Sequence, residues 1–100
     1  MTKPTEDVIE IEAYAKEGRP VPAAASYRIR IDKDRYTVTS STTTGRALLE
    51  LAKKDPTKYG IYQHMRGRSS RVALDATVDL TAPGLERFST LPLDQTEGQG

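Results

Sequence analysis

The chain predicts an α+β domain of the β-grasp type, because a short alternating hairpin, one amphipathic helix and three further short strands follow one another between Tyr27 and Leu91. That run is bounded by a proline- and alanine-rich stretch before it and by a polar tail, Leu93-Asp94-Gln95-Thr96-Glu97-Gly98-Gln99-Gly100, after it. One hundred residues at 36% hydrophobic content support one small core. The expected division is therefore an acidic N-terminal arm at 1–18, a Pro/Ala linker at 19–26, the β-grasp domain at 27–91 and a flexible tail at 92–100.

Each element has a local reason. Asp7-Val8-Ile9-Glu10-Ile11-Glu12 is β-branched and partly alternating, and Glu12 to Glu17 suits a helical turn, so the arm is expected to hold a short strand followed by a turn. Gly18 to Ser26 contains Pro20 and Pro22 among small residues, the composition of a partly polyproline linker. Tyr27-Arg28-Ile29-Arg30-Ile31-Asp32 alternates cleanly and puts Tyr27, Ile29 and Ile31 on one face. Lys33-Asp34 is expected to turn the chain into Arg35-Tyr36-Thr37-Val38-Thr39, with Tyr36 and Val38 inward. In Ser40 to Gly45, Thr43 or Thr44 is the expected N-cap, its hydroxyl accepting a free N–H of the first helical turn. Ala47, Leu48, Leu51 and Ala52 then share a helical face, and Asp55-Pro56 is expected to end the helix. Gly60 to Arg66 is the third strand, Gly67 to Ser70 a turn and Arg71 to Leu74 the fourth strand. Asp75 to Gly84 is an irregular crossing with Val78 and Leu80 entering the core, and Leu85 to Leu91 is the last strand, anchored by Phe88.

Composition excludes several chemistries. Without cysteine there is no disulfide, thiolate metal ligand or thiol nucleophile, which suits a reducing, cytoplasmic setting. The N-terminus has no apolar core of a signal peptide and no run approaches a membrane span, so neither secretion nor membrane insertion is expected. His64 is the sole histidine, so neither a metal site nor a histidine-based triad is expected. Asp32 and Asp34 flank a turn, where Asp is common, which argues against a catalytic carboxylate pair. No cofactor and no enzymatic activity are expected.

Charge is distributed unevenly although the net value is only +1. The arm is acidic, the body from 27 to 91 is basic, and the tail is acidic through Asp94 and Glu97. Arg28, Arg30, Arg35, Arg66, Arg68 and Arg71 could neutralise phosphates, but few aromatics are available for base stacking and the arm supplies competing acid, so nucleic acid is disfavoured. Tyr62 and His64 share a strand face and, with Arg66 and Arg68, form a candidate partner-docking patch. Val8, Ile9, Glu10, Ile11 and Glu12 form a candidate self-association segment: an open sheet edge accepts an added strand, complementary charge aligns it, and the contact closes a monomer in cis or propagates into an oligomer or filament in trans.

Tyr27-Arg28-Ile29-Arg30-Ile31-Asp32, Thr44-Gly45-Arg46-Ala47-Leu48-Leu49-Glu50-Leu51-Ala52, Val78-Asp79-Leu80-Thr81-Ala82-Pro83-Gly84-Leu85-Glu86-Arg87-Phe88 and Leu91-Pro92-Leu93-Asp94-Gln95-Thr96-Glu97-Gly98 resemble the bacterial multiubiquitin family of ubiquitin-like proteins. The arm, Ile9 to Lys16, looks like the segment that precedes such domains. The resemblance implies a ubiquitin-like β-grasp modifier that forms isopeptide bonds in a bacterial conjugation system. Its partners would be a ubiquitin-activating-like enzyme, a ubiquitin-conjugating-like enzyme and a zinc-dependent deubiquitinase-like protease. Family members often carry tandem domains, whereas one is legible here. Glycine suits a reactive terminus because it has no Cβ, so the end of an extended tail enters a narrow channel and its carbonyl is open from either side, and Gly98 and Gly100 are the two candidates. The alternative is a non-conjugated β-grasp interaction module that self-associates through its N-terminal arm.

Overall fold

The computed structural model describes residues 8–93. In chain order these form β1 (Val8–Glu10), α1 (Ile11–Lys16), β2 (Ser26–Ile31), β3 (Asp34–Val38), β4 (Thr42–Thr44), α2 (Gly45–Leu51), β5 (Tyr59–Met65), β6 (Arg68–Val72), β7 (Thr77–Asp79) and β8 (Leu85–Pro92). The elements β2-β3-α2-β5-β6-β8 make a ubiquitin-like β-grasp. β2 and β3 form an antiparallel hairpin, β8 lies between β2 and β5, running parallel to the first and antiparallel to the second, and β6 closes the far side of β5. β4 and β7 make a separate two-stranded sheet beside α2.

β1 explains what becomes of the arm. It pairs in parallel with β2, Val8 opposite Ser26, Ile9 opposite Tyr27 and Glu10 opposite Arg28. Because β3 occupies one edge of β2 from Tyr27 to Ile31, β1 shares the other edge with β8, which meets β2 at Ile31 and Phe88. The two strands therefore lie end to end along β2. α1 continues from β1 and drives Ile11 into the core, where it is fully buried. The segment thus folds back onto its own domain and is part of the packed body.

The end of α1 shows why the stretch after it is not a free spacer. Gly18 adopts φ +69, the Gly18 N–H donates to the Ala15 carbonyl and the Arg19 N–H to the Tyr14 carbonyl, a Schellman cap that turns the chain back. Arg19 then stacks on the Tyr14 ring at 4.7 Å, Val21 is buried, and the Ala24 N–H donates to the Tyr27 hydroxyl at 2.8 Å.

The core joins Tyr27, Ile29, Ile31, Leu48, Leu49, Ile61, Val72, Val78, Leu80, Leu85 and Phe88 with Ile11 and Val21. Expected members Val38, Leu51 and Ala52 are only partly buried, and Leu49 takes the place that Leu51 was expected to fill. α2 is short. The Thr44 hydroxyl caps it by accepting from the Ala47 N–H at 3.1 Å, as the extended backbone of Thr44 itself allows. Its end comes before Asp55-Pro56, through a second Schellman cap in which Lys53 takes φ +60, the Lys53 N–H donates to Glu50 and the Lys54 N–H to Leu49. Two turns also shift from expectation. The β2–β3 turn is Asp32-Lys33 and the β5–β6 turn is Arg66-Gly67, so β6 begins at Arg68 rather than Arg71, because Asp32 and Arg66 take the positive φ values that those tight turns require. The crossing from Asp75 to Gly84 contains β7, with Val78 and Leu80 buried as expected.

Candidate docking face and tail exit

β8 carries the chain out of the sheet. Gly60 opposes Leu91, Tyr59 opposes Pro92, and the Leu93 N–H donates to the Lys58 carbonyl at 2.8 Å, extending the β5–β8 ladder by one step. Leu93 and Arg71 lie across Gly60: a Cβ there would stand 3.2 Å from Leu93 Cδ2 and 3.1 Å from Arg71 Nε. A strand glycine is explained by that close approach. Leu91, 53% exposed, stands on the same face. Lys54 covers the Tyr59 ring with its Nζ 4.8 Å from the centroid. The root of the tail is thus fixed by backbone pairing, with apolar Leu91 and Leu93 next to cationic Arg71, Lys58 and Lys54. Gly98 and Gly100 lie outside the described residues.

Strand pairing sorts the expected docking residues into two places. Tyr62 opposes Ser89 and Arg71, and His64 opposes Arg87 and Ser69, so these side chains share the face of the sheet opposite to Ile61 and Phe88. His64 Nε2 is hydrogen-bonded to Ser89 Oγ at 2.8 Å. Partial burial pushes the imidazole pKa below its ordinary value, the positive charge of Arg87 adds to that, Glu86 opposes it and Arg30 contributes a smaller lowering. The ring therefore favours the neutral form. Arg66, by contrast, sits on the β5–β6 turn with its side chain laid against Gly84, and Arg68 opens β6 opposite Met65. Met65, Arg66, Arg68, Ser69 and Ser70 line an open groove of roughly 640 Å³ at that end of the hairpin. Period-two reading finds that Tyr62 and His64 are co-facial. It gives no access to Ser89, Arg87 or Arg71, which join them only through inter-strand register.

The N-terminal candidates lie at the other side of the sheet. Glu12 is buried and accepts from Arg30 Nη2 at 2.8 Å, with Lys16 Nζ at 3.6 Å, while Glu10 pairs with Arg35 Nε at 3.2 Å. Arg30 Nε is buried without a partner. The acid of the segment is therefore used against β2 and β3 of its own domain, as Ile11 is used in the core. A shallow hollow of roughly 180 Å³ remains between Glu10, Glu12, Ala13, Lys16 and Arg35. Among the described residues Arg28, Lys33, Lys53, Lys54, Lys58, Arg66, Arg68, Arg71 and Arg87 have no ion-pair partner, so the uncompensated positive charge lies on β2 and its turn into β3, on the α2–β5 connection, on β5–β6 and on β8.

Asp32 has a structural role. Its carboxylate accepts from the Thr90 N–H at 2.9 Å and the Thr90 hydroxyl at 2.7 Å, tying the β2–β3 turn to β8. Among the described residues no group of three or more His, Asp or Glu side chains is arranged to hold a metal ion, and no helix is long and apolar enough to cross a membrane. The family model described as multiubiquitin matches residues 27–92, two thirds of the chain and all of the β2–β8 body except Ser26. No curated protein and no solved structure matches the chain.

Proposed function

The chain belongs to the multiubiquitin family, and from that premise we propose that it is a ubiquitin-like modifier, the group transferred in a conjugation reaction rather than the catalyst of it. The observation that carries this reading is the coincidence of the family match, which ends at Pro92, with a strand that ends at the same residue and leads into a glycine-bearing tail.

In the proposed reaction an activating-like enzyme joins the terminal carboxylate of Gly98 or Gly100 to AMP, with release of pyrophosphate from ATP. A nucleophile on a conjugating-like enzyme displaces AMP, and a target amine displaces that enzyme in turn, giving an isopeptide bond. Gly98 is the favoured terminus. A zinc-dependent deubiquitinase-like protease would remove Gln99-Gly100 beforehand and cleave the isopeptide afterwards. The root fixed at Lys58 and Gly60 supports such a role by holding Leu93 at the end of the sheet, while Tyr62, His64 and Leu91 offer the enzymes a mixed polar and apolar face.

Incubation with ATP and the activating-like and conjugating-like proteins tests the reading by intact mass. The expected result is a covalent adduct whose mass equals target plus modifier minus one water. Protein ending at Gly98 should react at least as well as the full chain. No adduct from either form would refute the modifier reading and leave a non-conjugated interaction module, and reaction of the full chain alone would move the terminus to Gly100.

A further inference from the structure

β6 is an edge strand: among the described residues it pairs only with β5. Arg68, Ser69, Ser70 and Arg71 are all exposed, and only Val72 is buried. An open strand edge with backbone donors and acceptors facing solvent is a site for strand addition, and its side chains select what is added. Arg68 and Arg71 are three residues apart, so they stand on opposite faces of β6 and neither has an ion-pair partner among the described residues.

The chain carries a segment with the matching pattern. Asp94 and Glu97 in the tail are also three apart, with Gln95 and Thr96 between them, as Ser69 and Ser70 lie between the arginines. Laid antiparallel against β6, the tail sets Asp94 opposite Arg71, Gln95 opposite Ser70, Thr96 opposite Ser69 and Glu97 opposite Arg68. Both charge pairs then fall on their own faces, and the central pairs are polar on polar, the cross-strand combinations that favour pairing. Gly98 follows at the groove formed by Met65, Arg66, Arg68, Ser69 and Ser70.

We propose that β6 is a docking edge for the tail of a second copy of this chain, held by the Asp94–Arg71 and Glu97–Arg68 pairs. Strand spacing rules out the molecule's own tail. Leu93 is bound to β5 from the β8 side, and the position outside β6 is three strand spacings away, about 14 Å. One residue, about 3.8 Å, separates Leu93 from Asp94. The contact is therefore heterologous, tail to edge, and can repeat from copy to copy. It holds the glycine-bearing end against a neighbour, where an activating enzyme cannot take it. Neither ATP nor any enzyme is needed, so this association stands or falls separately from conjugation.

Sedimentation velocity and hydrogen exchange on the full chain test it over a concentration series. The wild type should gain mass with concentration while the β6 amides that point away from β5 exchange more slowly. Asp94→Lys with Glu97→Lys, which alters no described residue, should lose both effects. Arg68→Glu with Arg71→Glu should lose them too, and mixing the two double variants should restore them because each tail then meets an edge of opposite charge. High salt should weaken the association. Wild type that stays monomeric, association that persists in the tail double variant, or a mixture no heavier than its components would overturn the proposal.

Discussion

Ile11→Ala measures whether the N-terminal segment belongs to the fold. Ile11 is fully buried in the core cluster, in contact range of a body that begins fifteen residues later in sequence at Ser26. Truncation removes three carbons from a closed site. Loss of transfer free energy and the cavity left behind together give about 2 to 5 kcal/mol for such a change. The top of that range does not apply, leaving about 2 to 4 kcal/mol, because β1 is three residues long and α1 six, and so short an element can settle partly into the space. A domain of this size has a net stability of about 5 to 15 kcal/mol, so the variant should remain folded. Its melting temperature should fall by about 10 to 20 °C. Urea unfolding followed by far-ultraviolet circular dichroism supplies the free energy, with Ile9→Ala, at a partly buried position, as the milder comparison. A variant within about 0.5 kcal/mol of wild type would refute the reasoning, since surface substitutions fall in that range. It would mean that residues 8–16 contribute nothing to the core.

Three further outcomes follow from single positions. Gly45→Ala should destabilise by about 1 to 3 kcal/mol, because a Cβ would stand 2.5 Å from the Ala73 carbonyl oxygen; helix propensity alone predicts the opposite sign, so a more stable variant in urea titration would refute the packing argument. Lys53→Gly should stabilise by about 1 kcal/mol in the same assay, since Lys53 holds φ +60 with no ion-pair partner among the described residues, and a neutral or negative effect would show that its cap carries no strain. His64 should titrate by NMR below the ordinary imidazole value of about 6.5. With the folded value lowered, the unfolded chain binds more protons in the window between the two, so stability falls as pH drops through that window and is level above it. His64→Gln should flatten this slope, and a titration midpoint at or above the ordinary value would contradict the burial and Arg87 effects.

The fold was legible because its signals are local. Alternation in Tyr27 to Ile31, the hydroxyl of Thr44 before a helical run and the lone Phe88 each act within a few residues, and the structure keeps all three. What sequence reasoning lost depends on partners far along the chain. Helical spacing on α2 cannot decide between Leu49 and Leu51, since the choice is made by what packs against the helix, and Leu49 is the one buried. The helix end was misplaced because Pro56 is a visible breaker, whereas a lysine at a left-handed position carries no sequence signal. The docking face was half legible: Tyr62 and His64 share a face by strand period, but Ser89 reaches His64 across twenty-five residues of chain.

The boundary of the domain illustrates the same point with an energetic consequence. The family match begins at Tyr27, yet β2 is only partly covered by β8, which reaches it at Ile31. Without β1 the edge from Ser26 to Arg28 would stand unpaired, and without Ile11 and Val21 the core would be open beside Tyr27. Two buried aliphatic side chains contribute about 1.5 to 3 kcal/mol each, about 3 to 6 kcal/mol together, a large share of the net stability of a small domain. The buried Glu12 carboxylate adds to this by compensating Arg30, whose guanidinium would otherwise keep a partly desolvated charge. A chain cut to residues 27–100 should therefore bind a hydrophobic dye and unfold with a shallower, less cooperative urea transition than the full chain. Supplying a peptide of residues 1–26 should reverse both effects, because β1, α1 and Val21 make all their contacts through non-covalent packing. A cut chain that unfolds as steeply and as late in urea as the intact protein would place the true boundary at Tyr27 and leave the buried state of Ile11 without energetic weight.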